Sequence, residues 1–203
     1  VYIDPTSLDR RAAYRLLTSL IVPRPIAWVG TRSPDGIDNL APFSFFNGVS
    51  THPPILSISV ARDRAGLKDT AANILATEVF TVNVVGEHQV VAMQQSSGPY
   101  RADVSEFEAT GLVPLPGQQV AAPRVQGAPA CFECRLNRAI DLDTTHLFLG
   151  DIVGIHVSDD LLMEDGGVDP VRLAPVCRLG GQFASLGALH VLTPPAVSEE
   201  DRR

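Results

Sequence analysis

Three stretches of the chain carry side chains that can do chemistry together. The run Ala41-Pro42-Phe43-Ser44-Phe45-Phe46-Asn47 sets hydrogen-bonding groups (its backbone, Ser44 and Asn47) beside the apolar rings of Phe43 and Phe45. Such a run can wall a flat slot and bond the edge of a planar ligand. Lys68-Asp69-Thr70 stands where a helix is expected to begin. There a lysine charge joins free backbone N–H groups and the positive end of the helix dipole, a combination that suits a phosphate. Ser57, Ser59 and Arg62 end the strand before it and are within reach of the same anion. Each feature also has a plainer reading. The three phenylalanines serve equally well as core aromatics, Lys68-Asp69-Thr70 as an ordinary capped helix start, and the two serines as a strand face turned to water.

Other constellations point away from chemistry. Cys131 and Cys134 have Cys-x-x-Cys spacing, but Ala130-Cys131-Phe132-Glu133-Cys134-Arg135-Leu136 alternates as a strand does. Residues three apart on a strand face opposite sides, so no disulfide is expected between them. A redox pair of this spacing instead opens a helix, which lowers the thiol pKa. Cys177 falls in another expected strand and is expected to be buried. The histidines (52, 88, 146, 156 and 190) are scattered, with no carboxylate at ligand spacing, so no metal site is expected. There is no Gly-x-Ser-x-Gly elbow, no phosphate-binding Gly-rich loop and no Rossmann fingerprint.

Composition sets the class. With 203 residues, 45% of them hydrophobic and 19% charged, the chain is globular and long enough for a real core. A net charge of −7 disfavours nucleic acid as a partner. No apolar run approaches the ~18 residues that span a bilayer, so no membrane association is expected. Leu16 to Val22 is broken by Thr18 and Ser19 and ends at Pro23, and no basic segment and small-residue cleavage site mark it as a signal peptide. Three cysteines without a framework pattern fit a reducing cytoplasm.

The elements that must position these residues are mostly short strands. Thr6 to Leu20 reads as a helix capped by Thr6 or Ser7, stopped by Pro23 and Pro25. Ile26 to Thr31 and Ile37 to Leu40 flank the turn Ser33-Pro34-Asp35-Gly36 as a hairpin. Ile55 to Val60 alternates cleanly, a short helix follows from Lys68 to about Ala76, Phe80 to Val85 is a strand, and Glu87 to Gln95 a short helix. Residues 97–127, rich in Gly and Pro, are expected to wrap the surface. Ala130 to Ile140, Leu147 to Val157 and Val176 to Leu179 complete the strands, and residues 196–203 form a charged tail expected to be mobile. Recurrent turns between short strands indicate a mainly β barrel with peripheral helices.

Several ordered motifs resemble the flavin reductase-like family. Pro23-Arg24-Pro25-Ile26-Ala27-Trp28-Val29-Gly30-Thr31 looks like its first barrel strand, and Asn39-Leu40-Ala41-Pro42-Phe43-Ser44-Phe45-Phe46-Asn47 like its flavin-edge segment. Pro53-Pro54 before a strand, Lys68-Asp69-Thr70, Phe80-Thr81-Val82-Asn83-Val84 and Arg178-Leu179-Gly180-Gly181 continue the match in order, over roughly residues 10–190.

The resemblance implies a six-stranded split β-barrel, one domain over residues 1–195, and a homodimer with FMN near the subunit interface. It implies cofactor-binding roles for Trp28, Thr31, Asn39, Ala41, Pro42, Phe43, Ser44, Phe45 and Asn47 at the ring. Ser57, Ser59, Arg62, Lys68, Asp69 and Thr70 would serve the phosphate, and Arg178 and Phe183 would approach the partner's flavin. NAD(P)H is the implied co-substrate, giving hydride to the flavin, with no protein acid or base required. A monooxygenase or an electron-transfer protein is the implied recipient. Two other readings remain open: an FMN-holding electron carrier without NAD(P)H activity, and a barrel relative with a lost or changed ligand. Gln182-Phe183-Ala184 departs from the family, many of whose members place His or Tyr there.

Overall fold

A computed structural model describes residues 1–63, 66–190 and 192. The expected tail at 196–203 lies outside these residues. The elements, in order, are α1 (Arg10–Leu20), β1 (Arg24–Pro25), β2 (Ala27–Arg32), β3 (Asp38–Phe43), β4 (Phe46–Thr51), β5 (Pro54–Ala61), α2 (Asp69–Thr77), β6 (Val79–Val84) and α3 (Val90–Gln95). There follow α4 (Glu106–Thr110), β7 (Pro114–Leu115), β8 (Arg124–Val125), β9 (Ala130–Asp141), β10 (Thr145–Val157), α5 (Pro170–Leu173), β11 (Cys177–Leu179) and β12 (Gln182–Ala184).

Seven strands form one antiparallel sheet in the order β3-β2-β6-β9-β10-β5-β4. Its two edge strands, β3 and β4, are consecutive in the chain and only Ser44 and Phe45 separate them. The sheet must therefore curl until its edges meet. At the link between them, Ser59 N–H of β5 donates to the Phe45 carbonyl at 2.8 Å, continuing the β4–β5 ladder. The mainly β class expected from the sequence holds, with seven strands in place of six. The extra strand is β4, hidden because Phe-Asn-Gly-Val-Ser-Thr does not alternate.

The curled sheet encloses one core cluster, built on Ala27, Val29, Leu56, Ile58, Val60, Phe80, Val82, Cys134 and Phe148, with Ala71 and Ile74 of α2 packed into it. A second cluster lies on the other face of β2 and β3. There Ile26, Trp28 and Leu40 meet Met93 of α3, Phe107 of α4, Val125 and Val176. β2 is thus covered on both faces, and strand alternation sends Ala27 and Val29 inward, Ile26 and Trp28 outward. Gly30 lies where β2 is crossed, since a Cβ there would collide with the Pro123 carbonyl and Thr81 Oγ1.

Three local expectations change. The first helix splits: a 3-10 turn at Pro5–Ser7 precedes α1, whose N-cap is Asp9, accepting from Ala12 N–H at 2.7 Å. Thr6 cannot cap α1, because its N–H and hydroxyl both bond Asp4. Residues 97–127 do more than wrap the surface, for Phe107, Val120 and Val125 are buried. Cys131 and Cys134 are free, as alternation requires, with Cys134 in the barrel core and Cys131 on the opposite face; Cys177 is only half-buried, at the sheet's peripheral hairpin.

Candidate functional site

The segment Ala41 to Ser44 ends β3 and forms the wall between two adjoining cavities. The first, of about 510 Å³, is bordered by Asn39, Ala41, Pro42, Phe43, Lys68, Asp69 and Thr70, and on its far side by Ser96, the 97–100 turn and Glu106. The second, of about 200 Å³, is bordered by Pro42, Phe43 and Ser44, by Tyr14 of α1, Gln94, Ser97, Arg178 and Phe183. Pro42 and Phe43 belong to both.

Lys68 and Phe43 come together at the first cavity, with Lys68 Nζ 5.9 Å from the ring centroid. Lys68 is the N-cap of α2 and no side chain caps this end. The first backbone bond of the helix runs from Ala72 N–H to the Lys68 carbonyl, so the N–H groups of Asp69, Thr70 and Ala71 precede it. A cation beside an uncapped helix start is a donor set that fits a phosphate. Asp69 in the same turn places a negative charge there as well.

The buried polar side chains nearby are engaged with one another. Asn39 Oδ1 accepts from Thr70 Oγ1 at 2.9 Å and from Thr31 Oγ1 at 3.1 Å. Its Nδ2 donates to both oxygens of Glu106 at 2.9 Å, and Leu40 N–H donates to Glu106 Oε2 at 2.9 Å. Burial raises the Glu106 carboxyl above its ordinary value, aided by the charge of Asp69; the Leu40, Glu106 and Asn39 N–H donors offset only part of this. Thr31 and Thr70 hydroxyls therefore point into the protein. Trp28 is fully buried too, donating from Nε1 to Ser96 Oγ at 2.9 Å, and supports the cavity wall from behind.

Asn47, Ser57, Ser59 and Arg62 border neither cavity. Asn47 faces Ser57 across the β4–β5 pairing, and Ser57 Oγ donates to the Asn47 carbonyl at 3.4 Å. Both serines are half-buried on the side of β5 opposite Leu56, Ile58 and Val60. Arg62 turns to the β9–β10 end, pairing with Asp141 at 2.7 Å. Phe45 is exposed, and Arg24 lies over its ring at 5.9 Å. Arg178 stacks on Phe183 at 4.3 Å, so the β11–β12 hairpin presents a cation backed by an aromatic ring to the smaller cavity.

Arg24, Tyr14, Gln94 and Glu106 are among the participants that the sequence did not single out. Arg24 is buried (3% exposed) and binds the Thr18 and Ile21 carbonyls at 2.5 and 2.8 Å, the Gly180 carbonyl at 3.2 Å and Ser44 Oγ at 3.3 Å. Its sequence signal was present, an arginine held between two prolines at a strand entry. Tyr14, Gln94 and Glu106 carried none, since each lies on a helix whose placement beside the cavities is a tertiary fact. Among the described residues no group of three or more His, Cys, Asp or Glu can hold a metal, and no helix is long and apolar enough to cross a membrane.

Comparison with known proteins adds to this geometry. Residues 19–172 match the model of the flavin reductase like domain. An uncharacterised protein of Aquifex aeolicus is 43% identical over 176 residues, 86% of this chain and 90% of that one. Nitrilotriacetate monooxygenase component B from Bacillus cereus superposes with a TM-score of 0.90 at 33% identity, over 95% of this chain and 98% of the other. The 2-nitrobenzoate 2-nitroreductase NbaA of Pseudomonas fluorescens superposes with a TM-score of 0.86 at 32% identity, over 96% of each chain.

Proposed function

Because the chain belongs to the flavin reductase like domain family, we propose that it is an FMN-binding oxidoreductase, an NAD(P)H:flavin reductase that passes reduced flavin or its electrons to a monooxygenase or another acceptor. The observation that carries this reading is the continuity of Ala41 to Ser44 with the Lys68 cradle. An apolar, hydrogen-bonding wall meets a cation and open helix amides across one cavity. FMN held there would supply the hydride chemistry, with a nicotinamide as donor. The protein's part is to bind and orient. Lys68 and the first amides of α2 hold the phosphate, and Ala41 to Phe45 hold the ring. Arg178 and Phe183 cover the second substrate's side and exclude water.

The working unit in this reading is a homodimer in the cytoplasm. Phe45, Val49 and Ile155 leave apolar side chains exposed on the β4 edge and β10, 41%, 55% and 60% accessible respectively. In this reading a second copy covers such exposed apolar side chains. Sedimentation of the flavin-loaded protein tests this, and a monomer that retains FMN refutes it. The central test is titration with FMN. Lys68→Ala should weaken binding by ~1.5–3 kcal/mol, the usual worth of a hydrogen bond to a charged group. Unchanged binding in that variant removes Lys68 from the site. Steady-state oxidation of NADH and NADPH with added FMN then separates a reductase from an FMN-holding carrier, which binds flavin without turning over nicotinamide.

A further inference from the structure

We propose that Glu106 is a positioning residue for the anion cradle at the start of α2, acting through Asn39 and Thr70. The inference rests on the reading of that cradle as the FMN phosphate site. Glu106 is 6% exposed and borders the larger cavity, as Lys68 does. Its two oxygens accept from Asn39 Nδ2, and Oε2 also accepts from Leu40 N–H. That fixes which way the Asn39 amide faces. With Nδ2 turned to Glu106, Oδ1 faces α2 and accepts the Thr70 hydroxyl at 2.9 Å. Thr70 is the second residue of α2, beside Lys68 and Asp69. One helical turn on, Asn73 Nδ2 donates to Thr31 Oγ1 at 3.1 Å, and Thr31 donates in turn to Asn39.

The first turn of α2 is therefore tied to β2 and β3 by a buried network whose polarity Glu106 sets. Such a network holds its geometry only while every member is satisfied. Converting Glu106 to an amide leaves Leu40 N–H and Asn39 Nδ2 competing for one acceptor oxygen, and it frees the Asn39 amide to turn. Thr70 then faces an N–H group instead of a carbonyl oxygen, and the helix start shifts. Amide-to-phosphate bonds are sensitive to such shifts. A flavin without a phosphate is not.

The test compares FMN with riboflavin on the full chain, reading affinity by quenching of flavin fluorescence. The parent should prefer FMN. Glu106→Gln should weaken FMN roughly tenfold and riboflavin less than about twofold, as loss of buried satisfied bonds at one end of the ligand would. Thr70→Val, which keeps the shape and removes the hydroxyl, should show the same FMN-selective loss, and it carries the test if Glu106→Gln does not fold. Equal weakening of both flavins, or no change in the FMN-to-riboflavin ratio in a parent that prefers FMN, overturns the role of Glu106 alone. A parent that binds both flavins equally overturns the phosphate reading of the cradle and this inference with it.

Discussion

Two buried carboxylates stand in opposite conditions. Glu133, on β9, is wholly enclosed and accepts from the backbone N–H groups of Gln118, Gln119 and Val120, at 2.8, 2.6 and 2.9 Å, while also meeting His156. Burial alone would raise its pKa, yet these donors outweigh it and hold the group at about 2. Glu106 has fewer donors and the charge of Asp69 nearby, and burial prevails in the other direction. Glu133 therefore fastens a strap, residues 118–120, to the outer face of the sheet. Glu106 sits beside a cavity and carries a charge that its surroundings disfavour. A carboxylate saturated with amides is a structural clamp, and one left short of donors next to a cavity is where site chemistry is to be sought.

The largest predicted effect tests the clamp. Depression from the ordinary 4.5 to about 2 corresponds to about 3 kcal/mol of stability. That contribution is present above pH 4.5 and is lost as the pH falls toward 2. Glu133→Gln should therefore unfold in urea with about 3 kcal/mol less stability at pH 7, and the gap from the parent should narrow as the pH falls toward 2. A gap that stays constant with pH would break the comparison. The next effect has the opposite sign. The Glu106 carboxyl is raised in the folded state, so its ionisation costs stability as the pH climbs above 4.5. The parent should therefore lose stability relative to Glu106→Gln over that climb, and a parent that gains on the variant would show that its donors suffice after all. The smallest effect sharpens the role of the strap. Cys131, on the same face of β9 as Glu133, is held by burial at about 12, and Cys134, in the barrel core, is raised further. In the native parent at pH 8 a thiol reagent should label Cys177 first, and Glu133→Gln should expose Cys131 to it. A Cys131 labelled no faster in Glu133→Gln than in the parent would show that the strap does not cover it.

Much of the barrel was legible because its strands announce themselves. Ile55 to Val60 and Phe80 to Val85 alternate or run apolar, and β5 and β6 appear within a residue of those limits. β4 escaped because its residues answer to a bulge and an edge, with a register shift between Gly48 and Ser50, instead of a buried face. Of the candidate site, the Lys68 cradle and the Ala41–Ser44 wall were readable as local motifs. Their separation from Ser57, Ser59 and Arg62 was legible only in part, since alternation along β5 sets the serines opposite the core side chains while the pairing of Arg62 with Asp141 depends on how the sheet curls. Glu106 was invisible for a similar reason. Its partners, Asn39 and Leu40, are 67 and 66 residues away, and nothing in either segment names the other.

Arg24 ties the order of chain synthesis to the site. Its guanidinium joins the Gly180 carbonyl, 156 residues downstream, to Ser44, 20 residues away. Loops that long close late, since their entropy must be overcome before their contacts return anything. A nascent chain that has emerged through β10 already holds all seven strands of the barrel. The last wall of the smaller cavity, carrying Arg178 and Phe183, exists only when the hairpin beyond residue 176 has been made and latched onto this buried arginine. Completion of the pocket therefore waits on that hairpin, after the barrel strands have all been made.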